Sequence, residues 1–114
     1  MKMNALEKEY LKNNNFTKNE NGRLVSQVIS KRQFVEDGGF QDERQRNIIK
    51  AQFGNGLDSV EEMKILVDEV NGYEFDVEIS WRTSDGEMHE SKIGGEGIYE
   101  LVSQAIVLAG IDEF

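Results

Sequence analysis

The sequence has no cysteine, and that absence closes several chemistries at once. It rules out a disulfide framework, a thiol nucleophile and any cysteine-ligated metal. Without disulfides to favour an oxidising compartment, the expected setting is the cytoplasm. Proline is absent too, and nothing functional follows from it. Histidine occurs once, at His89, so zinc would need an unusual carboxylate-rich site. No long hydrophobic run exists: the longest, Ala105–Ala109, falls far short of the roughly 20 residues that span a bilayer. Met1-Lys2-Met3-Asn4 is followed by no apolar stretch of the secretory kind, so neither a signal peptide nor a membrane contact is expected.

What is present is an ordinary globular composition with a lopsided charge. Hydrophobic residues make up 38% and charged residues 31% of the 114, enough apolar material to fold one small domain over 1–114. The net charge is -9. Residues 1–57 hold 10 Lys and Arg against 7 Asp and Glu, while residues 58–114 hold 3 against 15. The surface is therefore expected to be electrostatically polarised. Its acidic half would repel nucleic acid and attract a basic protein. The plainer reading, that acidic surface serves solubility, stands beside this one.

Four helices are expected before any strand. Asn4 with Glu7 fits a capping box, and Leu6, Tyr10 and Leu11 carry a first helix over about 4–13, ended by Asn13-Asn14-Asn15. Residues 16–22 look like a loop, with Asn21-Gly22 as an alternative hairpin turn. The stretch 24–36 is ambiguous between helix and strand. Leu24, Val25, Val28, Ile29 and Val35 fit one helical face, closing at Gly38-Gly39, and the helix is the reading taken. A third helix runs from Asp42 to Phe53, with Gly54 as its C-terminal glycine. A fourth is expected from Ser59 as N-cap, with Glu62 in its first turn, Val60, Met63, Val67 and Val70 as its stripe, and Gly72 as its stop.

A β-hairpin follows. Tyr73, Phe75, Val77, Ile79 and Trp81 alternate with Glu74, Asp76, Glu78, Ser80 and Arg82, the pattern of a strand with one wet face. Ser84-Asp85-Gly86 turns the chain. A three-residue loop with Gly86 left-handed opposes Val77 with Ile93, Glu78 with Lys92 and Trp81 with His89. A two-residue loop would mix charge into the apolar face. Gly94-Gly95-Glu96-Gly97 reads as a flexible link. The last helix spans about Ile98–Ala109, with Gly110 ending it before a short tail, Ile111–Phe114. The expected class is α+β: a small antiparallel sheet, built on the hairpin at about 73–93, with four to five helices on one face.

No catalytic constellation emerges, so the chain is not read as an enzyme. His89 and Ser91 lie two apart on a strand and do not meet as base and nucleophile. The glycine-rich segment before the last helix lacks the lysine and serine or threonine of a phosphate loop. A small enzyme working through carboxylates and His89 is the weakest reading carried. Loose divalent-cation binding at Glu74, Asp76 and Glu78 is another minor one, and no cofactor or metal is expected.

That row is the most unusual surface feature. Three carboxylates at alternate strand positions lie about 6.6–6.8 Å apart, roughly twice the per-strand phosphate rise of nucleic acid. Glu61, Glu62, Asp68 and Glu69 would add to it from the preceding helix. The leading expectation is a non-catalytic inhibitor whose Glu74, Asp76, Glu78, Glu61, Glu62, Asp68 and Glu69 occupy the nucleic-acid channel of a nuclease or other DNA-binding enzyme. Small acidic phage anti-defence proteins, anti-CRISPR proteins among them, supply the analogy of size and charge, in which case the setting is the host cytoplasm. The alternative is an assembly protein acting as a homodimer or larger homo-oligomer through Tyr99, Val107, Leu108 and Phe114. The basic set Lys31, Arg32, Arg44, Arg46 and Lys50 is interleaved with acids and is too mixed for a nucleic-acid patch.

Overall fold

A computed structural model of the protein describes residues 3–18, 24–37, 40–70 and 74–113. These residues form an α+β fold: a five-stranded antiparallel sheet and four α-helices. The chain opens on α1, Ala5–Asn13, and the capping box is present. Asn4 Oδ1 accepts from the Glu7 amide at 2.8 Å, and Glu7 Oε1 accepts from the Asn4 amide at 3.1 Å. Glu7 has a further task that its neighbours in sequence do not reveal. Its second oxygen accepts the amide of Ile98, 91 residues away, at 2.9 Å. One carboxylate therefore satisfies orphan donors at two helix N-termini, where negative charge is favoured. The asparagine run ends α1 as expected, with Asn15 in the left-handed region at φ 65°.

Thr17–Lys18 form β1, the first correction to the expected loop. The proposed turn at Asn21-Gly22 lies outside the described residues. The ambiguous stretch resolves into both options in series. β2 spans Leu24–Ser30 and α2 spans Lys31–Asp37, so the helix expected over 24–36 is corrected to a strand followed by a short helix. Val25, Gln27 and Ile29 are buried while Val28 is exposed, a period of two. Phe34 then anchors α2 in the core. The expected closing glycines, Gly38-Gly39, are outside the described residues. The third helix is where the sequence puts it: α3, Glu43–Phe53, with Asp42 as N-cap and Gly54 at φ 50°.

The largest correction concerns residues 59–70, which do not form a helix; the expected stop at Gly72 lies outside the described residues. A 3₁₀ segment, Gly54–Ser59, leads into β3, Val60–Glu69. Ser59 caps nothing; its hydroxyl donates to Gly56 O at 2.8 Å. The physical cause is a β-bulge between Val60 and Glu62. A bulge inserts one residue and reverses the alternation. The buried set is therefore Val60, then Met63, Ile65 and Val67. Its first spacing of three imitates a helical turn, and Val70, expected on the helical stripe, is 47% exposed.

β4, Phe75–Thr83, and β5, Met88–Gly95, form the hairpin in the expected register: Val77 opposes Ile93, Glu78 opposes Lys92, and Trp81 opposes His89. Gly86 is left-handed at φ 88°. Asp85 fastens the loop by accepting from the Thr83 hydroxyl and, at 3.0 Å, from the Glu87 amide. Those bonds, the Thr83 one foremost, hold its carboxyl below the usual range. The expected flexible link is corrected in part, since Gly94 and Gly95 close β5 by pairing with Asp76 and Phe75. α4 spans Ile98–Glu113, running past the expected stop at Gly110. Gly110 sits where α3 presses close: a Cβ there would lie 2.3 Å from Gln52 Cβ. It is a packing glycine rather than a terminator.

The strands follow one another in spatial order, β1-β2-β3-β4-β5. One face carries the core. Ile29, Ile65, Val77, Ile79 and Trp81 meet Phe34 of α2, Phe53 of α3 and Ile98, Val102 and Ile106 of α4, all fully buried. Trp81 and Phe53 meet edge to face at 5.8 Å, as do Phe53 and Phe34 at 5.6 Å. A polar knot ties three helices together. Buried Gln45 accepts from Tyr10 Oη at 2.8 Å and donates to Ser103 Oγ at 2.9 Å. Burial pushes the Tyr10 phenol well above its ordinary pKa.

Candidate functional site: the helix-free face of the sheet

Among the described residues no helix covers the second face of the sheet. Its composition follows from register, because residues opposite each other point to the same side. Four lines cross it. Leu24, Asp68, Asp76 and Gly94 form one line; Ser26, Leu66, Glu78 and Lys92 form the next. Val28, Lys64, Ser80 and Glu90 make the third, and Ser30, Glu62, Arg82 and Met88 the last. None of these residues whose exposure is described is buried.

Of the seven carboxylates expected to act together, the structure gathers four here: Glu62, Asp68, Asp76 and Glu78. Glu74 lies just before β4 and is exposed. Glu61 is the bulged residue and is turned to Lys31 of α2, with Nζ and Oε1 3.2 Å apart. Glu69 opposes buried Phe75 and so belongs to the other face of the sheet. The expected contribution of an acidic helix over 59–72 is corrected accordingly: those acids come from a strand beside β4. Glu90 on β5, opposite Ser80, is a fifth carboxylate of the same face that the sequence reading did not include.

The electrostatics are patterned rather than uniform. Asp68 stands directly opposite Asp76, a like-charge pair that costs stability. Lys92 reaches diagonally to Asp76, with Nζ and Oδ2 3.4 Å apart, and lies directly opposite Glu78. Arg82 opposes Glu62. Exposed Val28 and Met88, with half-buried Leu66, lend apolar surface between the charges. Among the described residues no three Asp, Glu or His side chains gather to hold a metal ion. No helix among them is long and apolar enough to cross a membrane.

The residues of the alternative site are divided. Tyr99 is engaged within the chain: its hydroxyl donates to Asp42 at 2.9 Å, its ring meets Tyr10 edge-on at 5.2 Å, and Arg44 lies over it at 5.7 Å. Val107 and Leu108 line a groove of about 350 Å³ shared with Ile48, Ile93, Ser103 and Gln104. Phe114 is outside the described residues. His89, on the covered face, stacks on Trp81 at 5.4 Å and 17°.

Fold and surface together define a class, an open-faced α+β sandwich with a charged, solvent-facing sheet. Comparison with protein-family models, with curated proteins and with solved structures finds no match to this chain.

Proposed function

We propose that this chain is a non-catalytic binding protein that engages a basic protein surface through the bare face of its sheet. The observation that supports this reading is the gathering of Glu62, Asp68, Asp76, Glu78 and Glu90 on one face that no described helix covers, including the directly opposed pair Asp68 and Asp76. A rigid array of this kind attracts arginine and lysine for the reason phosphates do. A cation placed between Asp68 and Asp76 would relieve their repulsion. Strand geometry spaces the charges about 4.8 Å across strands and about 6.7 Å along them. The concrete form of the proposal is an inhibitor that occupies the nucleic-acid channel of a nuclease or other DNA-binding enzyme. Lys64, Arg82 and Lys92 on the same face restrict it to partners with matching acidic positions.

The test is capture from lysate by immobilised protein, repeated with Asp68→Lys and Asp76→Lys together, each time with and without competing duplex DNA. The proposal expects a nucleic-acid-binding protein that the DNA competes away and the double variant fails to hold. Equal capture by both forms, or capture indifferent to DNA, would refute it.

A further inference from the structure

We infer that β5 is a docking edge for a second copy of this chain, pairing antiparallel about a two-fold axis through Ser91 to form a continuous ten-stranded sheet. Among the described residues β5 is the last strand of the sheet, with no strand beside its outer side. The direction of its backbone groups follows from the hairpin. Thr83 N–H donates to Glu87 O at 3.0 Å, so the pair 83 and 87 is hydrogen-bonded. Antiparallel pairs alternate, so residues 89, 91, 93 and 95 bond inward to β4. The amides and carbonyls of Met88, Glu90, Lys92 and Gly94 therefore point outward. No backbone hydrogen bond among the described residues meets them from the outer side. All four of these residues are exposed.

Exposed edges of this length are ordinarily blunted, and charged side chains are one common means. Glu90 and Lys92 supply such charge, and their order selects one register. With Ser91 on the axis, Glu90 of each copy faces Lys92 of the other, twice over. A shift that centres Glu90 opposes two glutamates, and one that centres Lys92 opposes two lysines. Only the Ser91-centred register places outward-bonding residues together with opposite charges in apposition. It forms about eight hydrogen bonds from the four outward residues. The line Glu78 and Lys92 then runs on to Glu90 and Ser80 of the second copy, alternating in sign across the junction.

The helical side of the same edge agrees. Ile93 of β5 is one wall of the groove that exposed Leu108 and Gln104 of α4 also line. In the two-fold arrangement Ile93 meets His89 of the second copy, which brings the two grooves beside each other over the joined sheet. The dimer would also set two bare faces side by side, doubling the span of the charged surface. The pairing stands independently of what that surface binds.

The experiment is a charge swap read by sedimentation velocity. Wild type is expected at twice the 13.0 kDa chain mass. Glu90→Lys and Lys92→Glu should each sediment as monomers, because each opposes like charges. An equimolar mixture of the two should recover a heterodimer, and the double swap should recover the homodimer. Lys92→Glu also loses the contact with Asp76, so Glu90→Pro provides a second variant. It removes an outward amide that β4 does not use and is expected to be monomeric. A monomeric wild type, or a dimer that persists in Glu90→Lys or Glu90→Pro, would overturn the inference.

Discussion

The two faces of the sheet are made from the same strands, yet they obey different rules. On the covered face Ile65, Val77, Ile79 and Trp81 are fully buried, and each is fixed by the helices that press on it. On the bare face their immediate neighbours Leu66, Glu78, Ser80 and Arg82 answer only to water and to the next strand. Packing specifies the first set closely, because interiors tolerate little change in volume. Nothing in the fold requires Asp68 opposite Asp76 on the second. The contrast teaches that stability lives on one side of this sheet, and that the other side is free to carry function.

The sharpest way to break that contrast is to remove Trp81. Trp81→Ala should destabilise by about 3–5 kcal/mol, because it removes a fully buried ring that Phe53 meets edge to face and leaves a cavity in the core. A urea titration would show it as a lower midpoint. Gly110→Ala comes next. Alanine is the better helix former, yet its Cβ meets Gln52, and the expected outcome is a loss of about 1–3 kcal/mol. Gln104→Ala, exposed on the same helix, is the control and should stay within about 0.5 kcal/mol.

Tyr10→Phe is the third prediction and has a pH signature. The neutral phenol is bonded to Gln45 in the folded chain, and burial raises its pKa. In the unfolded chain the phenol ionises at about pH 10. Above that pH the unfolded state holds fewer protons than the folded one, so stability is full below pH 10 and falls as pH rises. The phenylalanine variant should lose about 1 kcal/mol at neutral pH and show a shallower alkaline decline in thermal melts. Tyr99 shares the direction of this shift, again through burial, so a residual slope is expected. The smallest effect belongs to the bare face. Asp68→Asn should gain about 0.2–1 kcal/mol at low salt, and the gain should vanish at high salt. A loss instead would mean that the opposed carboxylates hold the sheet together.

Much of this was legible in the sequence. The capping box at Asn4 and Glu7, the helix from Asp42, and the hairpin with its three-residue loop are local patterns that the structure reproduces. What could not be read locally depended on partners distant in the chain. The bulge at Glu61 disguised β3 as a helix, and the true strand shows only once Val60 is allowed to break the alternation. Gly110 looked like a stop because its neighbour, Gln52, lies on another helix. The double role of Glu7 needed Ile98 to arrive from 91 residues away. For the site, the parity of β4 identified Asp76 and Glu78. The misread β3 put Glu61 and Glu69 with them, though the bulge and the strand parity turn both elsewhere.

We propose the bare face as the working surface, separable from the fold. The most direct test is the binding isotherm of a captured partner against wild type and against the variant with Glu62, Asp68, Asp76 and Glu78 all changed to lysine, measured at low and high salt with a melting curve for each form. A variant that melts cooperatively but has lost all affinity, beside a wild type whose affinity falls with salt, is the predicted result. A folded variant that binds as tightly as wild type would contradict the claim.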